Sequence, residues 1–200
     1  MKRVIIAAVL VAVFFVSYQV HRNLTKPVRT ADMKAEVNDA IDELHEKARR
    51  DHPGISEADV YKTVAAEQAT KMLADTDETE RSKSAAALYL GFYLGNTRVR
   101  KAYCDARGID IGNFVSAFEA KHASGFARAS AILNGQGVDP EQLYAVAQEQ
   151  MTKAIEQDMQ TVAQAAHVPL EQSCQVIADQ AATIVELVVP PPSVMQALGA

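Results

Sequence analysis

The segment Ala85 to Gly95 constrains the fold more than any other stretch, because it carries no charge and is apolar on every side of a helix, with Leu88, Leu90, Phe92 and Leu94 interleaved with Tyr89 and Tyr93. Eleven residues are too few to cross a bilayer, so such a helix belongs at the centre of a bundle. Gly91 and Gly95, four apart, let a neighbouring helix come close. Gly and Pro fall almost entirely where helices should start or stop, and no period-two strand pattern is convincing. The expected fold class is all-α, a bundle of about five or six helices.

Ahead of that bundle, Met1-Lys2-Arg3 leads into thirteen uninterrupted apolar residues, Val4 to Val16, followed by Arg22, Lys26 and Arg29. A charged start and a short apolar core are shared by cleaved signals and by membrane anchors. Around Phe14-Phe15-Val16-Ser17-Tyr18 no pair of small residues offers a peptidase site, and the apolar stretch extends to Val20, at the lower limit for a spanning helix. An uncleaved anchor over residues 1–30 is expected, then a helical body over 31–189 and a Pro-rich tail over 190–200. The basic residues on either side of the span nearly balance, so charge alone does not orient it. Two cysteines, Cys104 and Cys174, do: an even pair in an exported helical domain is most simply a disulfide. The body is therefore expected outside the cytoplasmic membrane, in the periplasm of a Gram-negative host, with the N-terminus inside.

Along the body, a first helix is expected from about Asp32 to Arg50, with Met33, Val37, Ile41 and Leu44 on one face, ending at Asp51-His52-Pro53-Gly54. Ser56 opens a second through Tyr61, Val64, Gln68, Met72 and Leu73. The polar run Asp75 to Lys83 reads as a solvated loop or frayed turn. The central helix continues past Asn96, where Val99, Ala102, Tyr103 and Ala106 prolong the stripe of Leu88 and Phe92 and Cys104 lies off it. Gly108 ends that helix, and Asp110 caps the next, which holds Phe114, Val115 and Phe118 and bends or breaks at Ser124-Gly125. Asp139-Pro140-Glu141 is the clearest helix start in the chain. From there a stripe of Leu143, Ala147, Met151, Ile155, Met159 and Val162 runs to a break at Val168-Pro169. A last helix carries Leu170, Cys174, Ile177, Ala181, Ile184 and Val188 on one seam, before an extended polyproline segment at Pro190-Pro191-Pro192. The end of the chain reads as a simple terminus, with a partner-docking tail anchored by Val194, Met195 and Leu198 as the less common alternative.

Charge is uneven: residues 1–30 hold five basic side chains and no acids, 31–80 six against fourteen, 81–128 eight against three, and 129–200 one against eight. The basic middle offers a candidate anion site at Arg98, Arg100 and Lys101, for which pairing between helix faces is the commoner explanation. The body past residue 30 is strongly acidic and carries no basic motif interleaved with aromatics, so no nucleic-acid partner is expected. Catalytic chemistry has one thin lead. Glu119 and His122 form a Glu-x-x-His step on one helical face, as in helical di-iron proteins, which use two such steps and further glutamates. With only one step present a solvated surface is the simpler reading, so no enzyme, metal or cofactor is expected. Arg100 and Lys101 would also lower the pKa of a free Cys104, a competing reading that no Cys-x-x-Cys motif supports. Tyr89, Phe92, Tyr93 and Tyr103 either pack a core or line a cavity for a small ligand or lipid. The function expected is that of a membrane-tethered accessory or scaffold factor that binds a protein partner in the cell envelope.

Overall fold

The computed structural model describes residues 77–199 continuously, with isolated positions between 35 and 74. The expected membrane anchor lies outside the described residues. Described positions from Ala35 to Asp51 are helical, and Pro53 and Gly54 form the turn that ends them, with Gly54 at a positive φ of 93°. Val60, Thr63 and Glu67 to Leu73, where described, are helical again, and Val60 and Ala69 are buried. Among the described residues there is no strand, and the all-α expectation holds.

Helix α1 spans Glu78–Leu94 and begins earlier than its sequence implies. The Asp77 carboxylate accepts from the amides of Thr79 and Glu80, and Glu78 and Glu80 complement the positive helix end. The polar run expected as a loop is therefore helical from Glu78 onward, and Lys83 bonds back to Glu80 at 2.6 Å. From Ala85 the helix is buried almost all round, as an uncharged helix at the centre of a bundle must be.

The chain stays helical beyond α1 but widens into a π-turn over Gly95–Val99, closed by the Arg100 amide donating to the Gly95 carbonyl, before α2, Arg100–Asp105. Inside the turn the Asn96 amide donates to the Phe92 carbonyl at 2.8 Å and the Thr97 hydroxyl to that of Tyr93 at 2.9 Å. One extra residue rotates everything downstream by about 100° relative to a regular helix. Hence Ala102 and Ala106, expected on the buried stripe, face solvent, whereas Arg100, Tyr103 and Cys104 turn inward. Gly108, at a φ of +74°, ends the helix as its sequence implies.

Helix α3 spans Gly112–Asn134; the Asp110 carboxylate receives the Gly112 amide at 2.9 Å. It runs through Ser124-Gly125 without a break. Helix α4 spans Pro140–Ala166, with the Asp139 side chain taking the Glu141 amide and Pro140 in the first turn. Its stripe from Leu143 to Met159 is buried, and it ends at His167 in the left-handed conformation. A 3₁₀ turn, Leu170–Gln172, leads into α5, Ser173–Asp179. The single last helix expected here is divided at Gln180, after which α6 spans Ala181–Leu187. Neither Gly nor Pro marks this break; its effect is that α5 packs on α4 while α6 turns to pack on α3. After extended residues from Val188 to Pro191, helix α7, Pro192–Leu198, replaces the tail expected to stay extended. It lies against α1 with Val194 and Leu198 buried. Helix α1 is thus enclosed by α3 and α7, while the π-turn and α2 rest on α4.

Candidate functional site

The densest set of chemically capable side chains sits where α1, α3 and the strand-like link between α6 and α7 meet. Phe114, Phe118 and His122 recur every four residues on the buried face of α3, and Tyr89 and Phe92 face them from α1. Gly125 makes the approach feasible: a methyl group there would overlap the Tyr89 hydroxyl and ring. Gly125, expected to bend or break the helix, is instead a contact point between helices.

His122 is buried, and both ring nitrogens are engaged. Nδ1 lies 3.2 Å from the Tyr89 hydroxyl and Nε2 lies 3.3 Å from the Val188 carbonyl. Because a carbonyl only accepts, Nε2 carries the proton in that contact, which leaves Nδ1 of the neutral ring to accept from Tyr89. The same hydroxyl lies 3.1 Å from the His122 carbonyl. Phe92 and Phe118 complete the enclosure, with ring centroids 5.1 and 4.3 Å from the imidazole. Burial disfavours the charged ring and holds its pKa below the ordinary histidine value, partly offset by the Val188 carbonyl. Burial also pushes Tyr89 up to about 12, so its hydroxyl keeps its proton at neutral pH.

Lys121, the next residue, holds the same link from outside: its ammonium donates to the Val185 carbonyl at 2.8 Å and pairs with Glu186 at 3.1 Å. Leu187 and Val189, on either side of the buried Val188, are the large apolar residues most exposed among those described.

A second polar centre lies at the π-turn. Arg100 Nη2 meets Asp158 at 2.6 Å with both side chains 1% exposed. Arg100 Nε donates to the Asn96 side chain at 3.2 Å, and Nη1 contacts Met159 Sδ at 3.3 Å. The candidate anion cluster is not assembled. Arg98 points outward in a two-pronged pair with Glu141, both contacts 2.7 Å, and Lys101 pairs with Asp105 on its own helix. Each of the three cations has a carboxylate of this chain.

The remaining predicted residues are distributed as follows. Cys104 and Cys174 form the expected disulfide, with Cα atoms 5.6 Å apart, tying α2 to α5. Tyr93 stacks on Phe126 at 4.2 Å, and Tyr89, Phe92 and Phe118 touch ring to ring. Tyr103 stands apart from them beneath the Arg107 guanidinium, which lies 3.4 Å above its ring. Glu119 and His122 lie one turn apart on α3, but Glu119 is exposed while His122 is buried, so the solvated surface expected for the pair holds only at Glu119. Among the described residues no group of three or more His, Cys, Asp or Glu side chains is placed to hold a metal ion.

The pairs Tyr89–His122 and Arg100–Asp158 do not follow from local spacing, since their members lie 33 and 58 residues apart. The available signal was a charged or titratable residue in register with an apolar stripe, as His122 is with Phe114 and Phe118. Among the described residues no single helix is long and apolar enough to cross a membrane; α6 and α7 together have the composition but bend by 72° between them. The chain matches no protein-family model, no curated protein and no solved structure.

Proposed function

We propose that this protein is a single-pass, membrane-tethered extracytoplasmic factor whose helical body binds another protein of the cell envelope, as an accessory or scaffold subunit. The observation that carries the proposal is the Cys104–Cys174 disulfide, because such bonds form and persist in oxidising compartments. Together with the basic and apolar start of the chain, it favours a body on the outer side of the cytoplasmic membrane.

The way the polar groups are used favours binding over catalysis. Arg100 is committed to Asp158, and His122 to Tyr89 and Val188, so these side chains hold helices together. The exposed Leu187 and Val189, beside the Lys121–Glu186 pair, supply a small apolar contact with a charged margin, a composition that protein interfaces use. Photo-crosslinking from residues 187 and 189 of the full chain in its own membranes tests the proposal. A reproducible adduct with a defined envelope protein is expected. Adducts with lipid alone, or none above the level of a probe at exposed Glu119, would remove the binding role.

A further inference from the structure

Three side chains fasten the C-terminal segment from Val185 to Leu198 to the bundle. His122 Nε2 holds the Val188 carbonyl, Lys121 holds Val185 and Glu186, and the Ser82 hydroxyl reaches the Ala197 carbonyl at 3.4 Å. Val185, Val188, Val194 and Leu198 are buried along this strap. Of the three fastenings, only the one at His122 is enclosed in the aromatic core. Val188 is fully buried there, so the strap itself keeps water from the ring.

We infer that the strap is a proton-gated latch: a second proton on His122 releases residues 185–198 from α1 and α3 and uncovers the aromatic face beneath. This inference does not depend on the proposed binding role. The neutral ring satisfies the site, with Nε2–H donating to Val188 and Nδ1 accepting from Tyr89. Proton gain turns Nδ1 into a donor, and the Tyr89 hydroxyl must swing its own proton to the His122 carbonyl. Hydrogen bonds survive that exchange, but a cation is left among Phe92, Phe118 and Tyr89, with no carboxylate in contact among the described residues.

The charged groups around the ring do not supply one. From α1 the titratable neighbour is Tyr89, which stays neutral, and α7 carries no titratable side chain. Lys121 opposes the imidazolium, and Glu186 on α6 favours it but is bound to Lys121 and largely exposed. Lifting Val188 lets water solvate the charged ring. The sign follows from linkage: a histidine held neutral in the latched form and ordinary in the open form makes opening easier as pH falls below about 6.5.

Hydrogen exchange on the full chain in detergent micelles, at pH 7.5 and pH 5.0 and corrected for intrinsic rates, tests the latch. Protection at the strap amides is expected to fall by up to about thirtyfold, the ceiling for one group that titrates normally when open and stays neutral when latched. The amides of α4 should keep their protection. His122→Gln keeps a donor near the Val188 carbonyl and should abolish the response, while Glu186→Gln should retain it. If His122→Gln does not fold, the wild-type ring is titrated by NMR, and its transition must coincide with that of the strap amides. A strap response under about threefold, an equal loss in α4, or a response lost in Glu186→Gln overturns the inference.

Discussion

Asp158→Ala is the perturbation whose size the structure fixes best. It leaves the Arg100 guanidinium, 1% exposed, with the Asn96 side chain and the Met159 sulfur as its remaining contacts. Stranding one member of a buried ion pair costs about 3–5 kcal/mol, because the desolvation of the remaining charge is no longer offset. The chain holds a comparator. Arg98–Glu141 has a similar 2.7 Å separation, but its side chains are 42% and 63% exposed. Solvent-exposed pairs contribute about 0–1 kcal/mol, so Glu141→Ala should shift stability by no more than that. In equilibrium urea unfolding with the disulfide intact, an m-value of about 2 kcal/mol/M places the Asp158→Ala midpoint about 2 M lower and the Glu141→Ala midpoint within about 0.5 M of wild type. The double variant Arg100→Met with Asp158→Leu should regain at least about 2 kcal/mol, falling short of wild type because Asn96 Oδ1 loses its donor. A cost below about 1 kcal/mol at unchanged m would mean that Arg100–Asp158 behaves as a solvent-exposed pair despite its burial.

Three further outcomes follow from the same packing. Reducing Cys104–Cys174, which closes a loop of 70 residues, should cost about 4 kcal/mol on chain-entropy grounds, read as the difference in urea midpoint with and without reductant. Gly125→Ala should destabilise by about 1–3 kcal/mol despite the better helix propensity of alanine, since the added methyl drives into Tyr89; thermal melting combined with Tyr89→Leu should show partial rescue. Tyr89 has a folded pKa raised to about 12, so its contribution to stability is complete below about pH 10 and is lost as pH rises from there towards 12. Ultraviolet titration of wild type against Tyr89→Phe should therefore show one phenol ionising well after an ordinary tyrosine.

The helical class was readable because periodicity and caps agree over long stretches, as from Asp139 through Met159. The disulfide was readable from cysteine parity, although the helical wheel placed Cys104 off the buried stripe. That error has one cause, the π-turn at Gly95–Val99, which rotates α2 and so buries Arg100 and Cys104 together. Composition gives little notice of such a turn, since its stabilising bonds come from ordinary residues, Asn96 and Thr97, reaching back four positions. The division at Gln180 and the docking of α7 were invisible for a related reason: both are set by which neighbour each segment packs against. The register of His122 with Phe114 and Phe118 carries the sign of its burial, but its partners do not show in the local sequence, because they come from 33 residues before and 66 after.

The proposed topology puts the body in an oxidising compartment, tethered to the membrane. The most direct measurement counts free thiols in the full chain taken from its own envelope fraction and denatured without reductant. That topology requires no reactive thiol before reduction and two after it, mapping to Cys104 and Cys174. Two free thiols before reduction would contradict it, and would place the body in a reducing compartment.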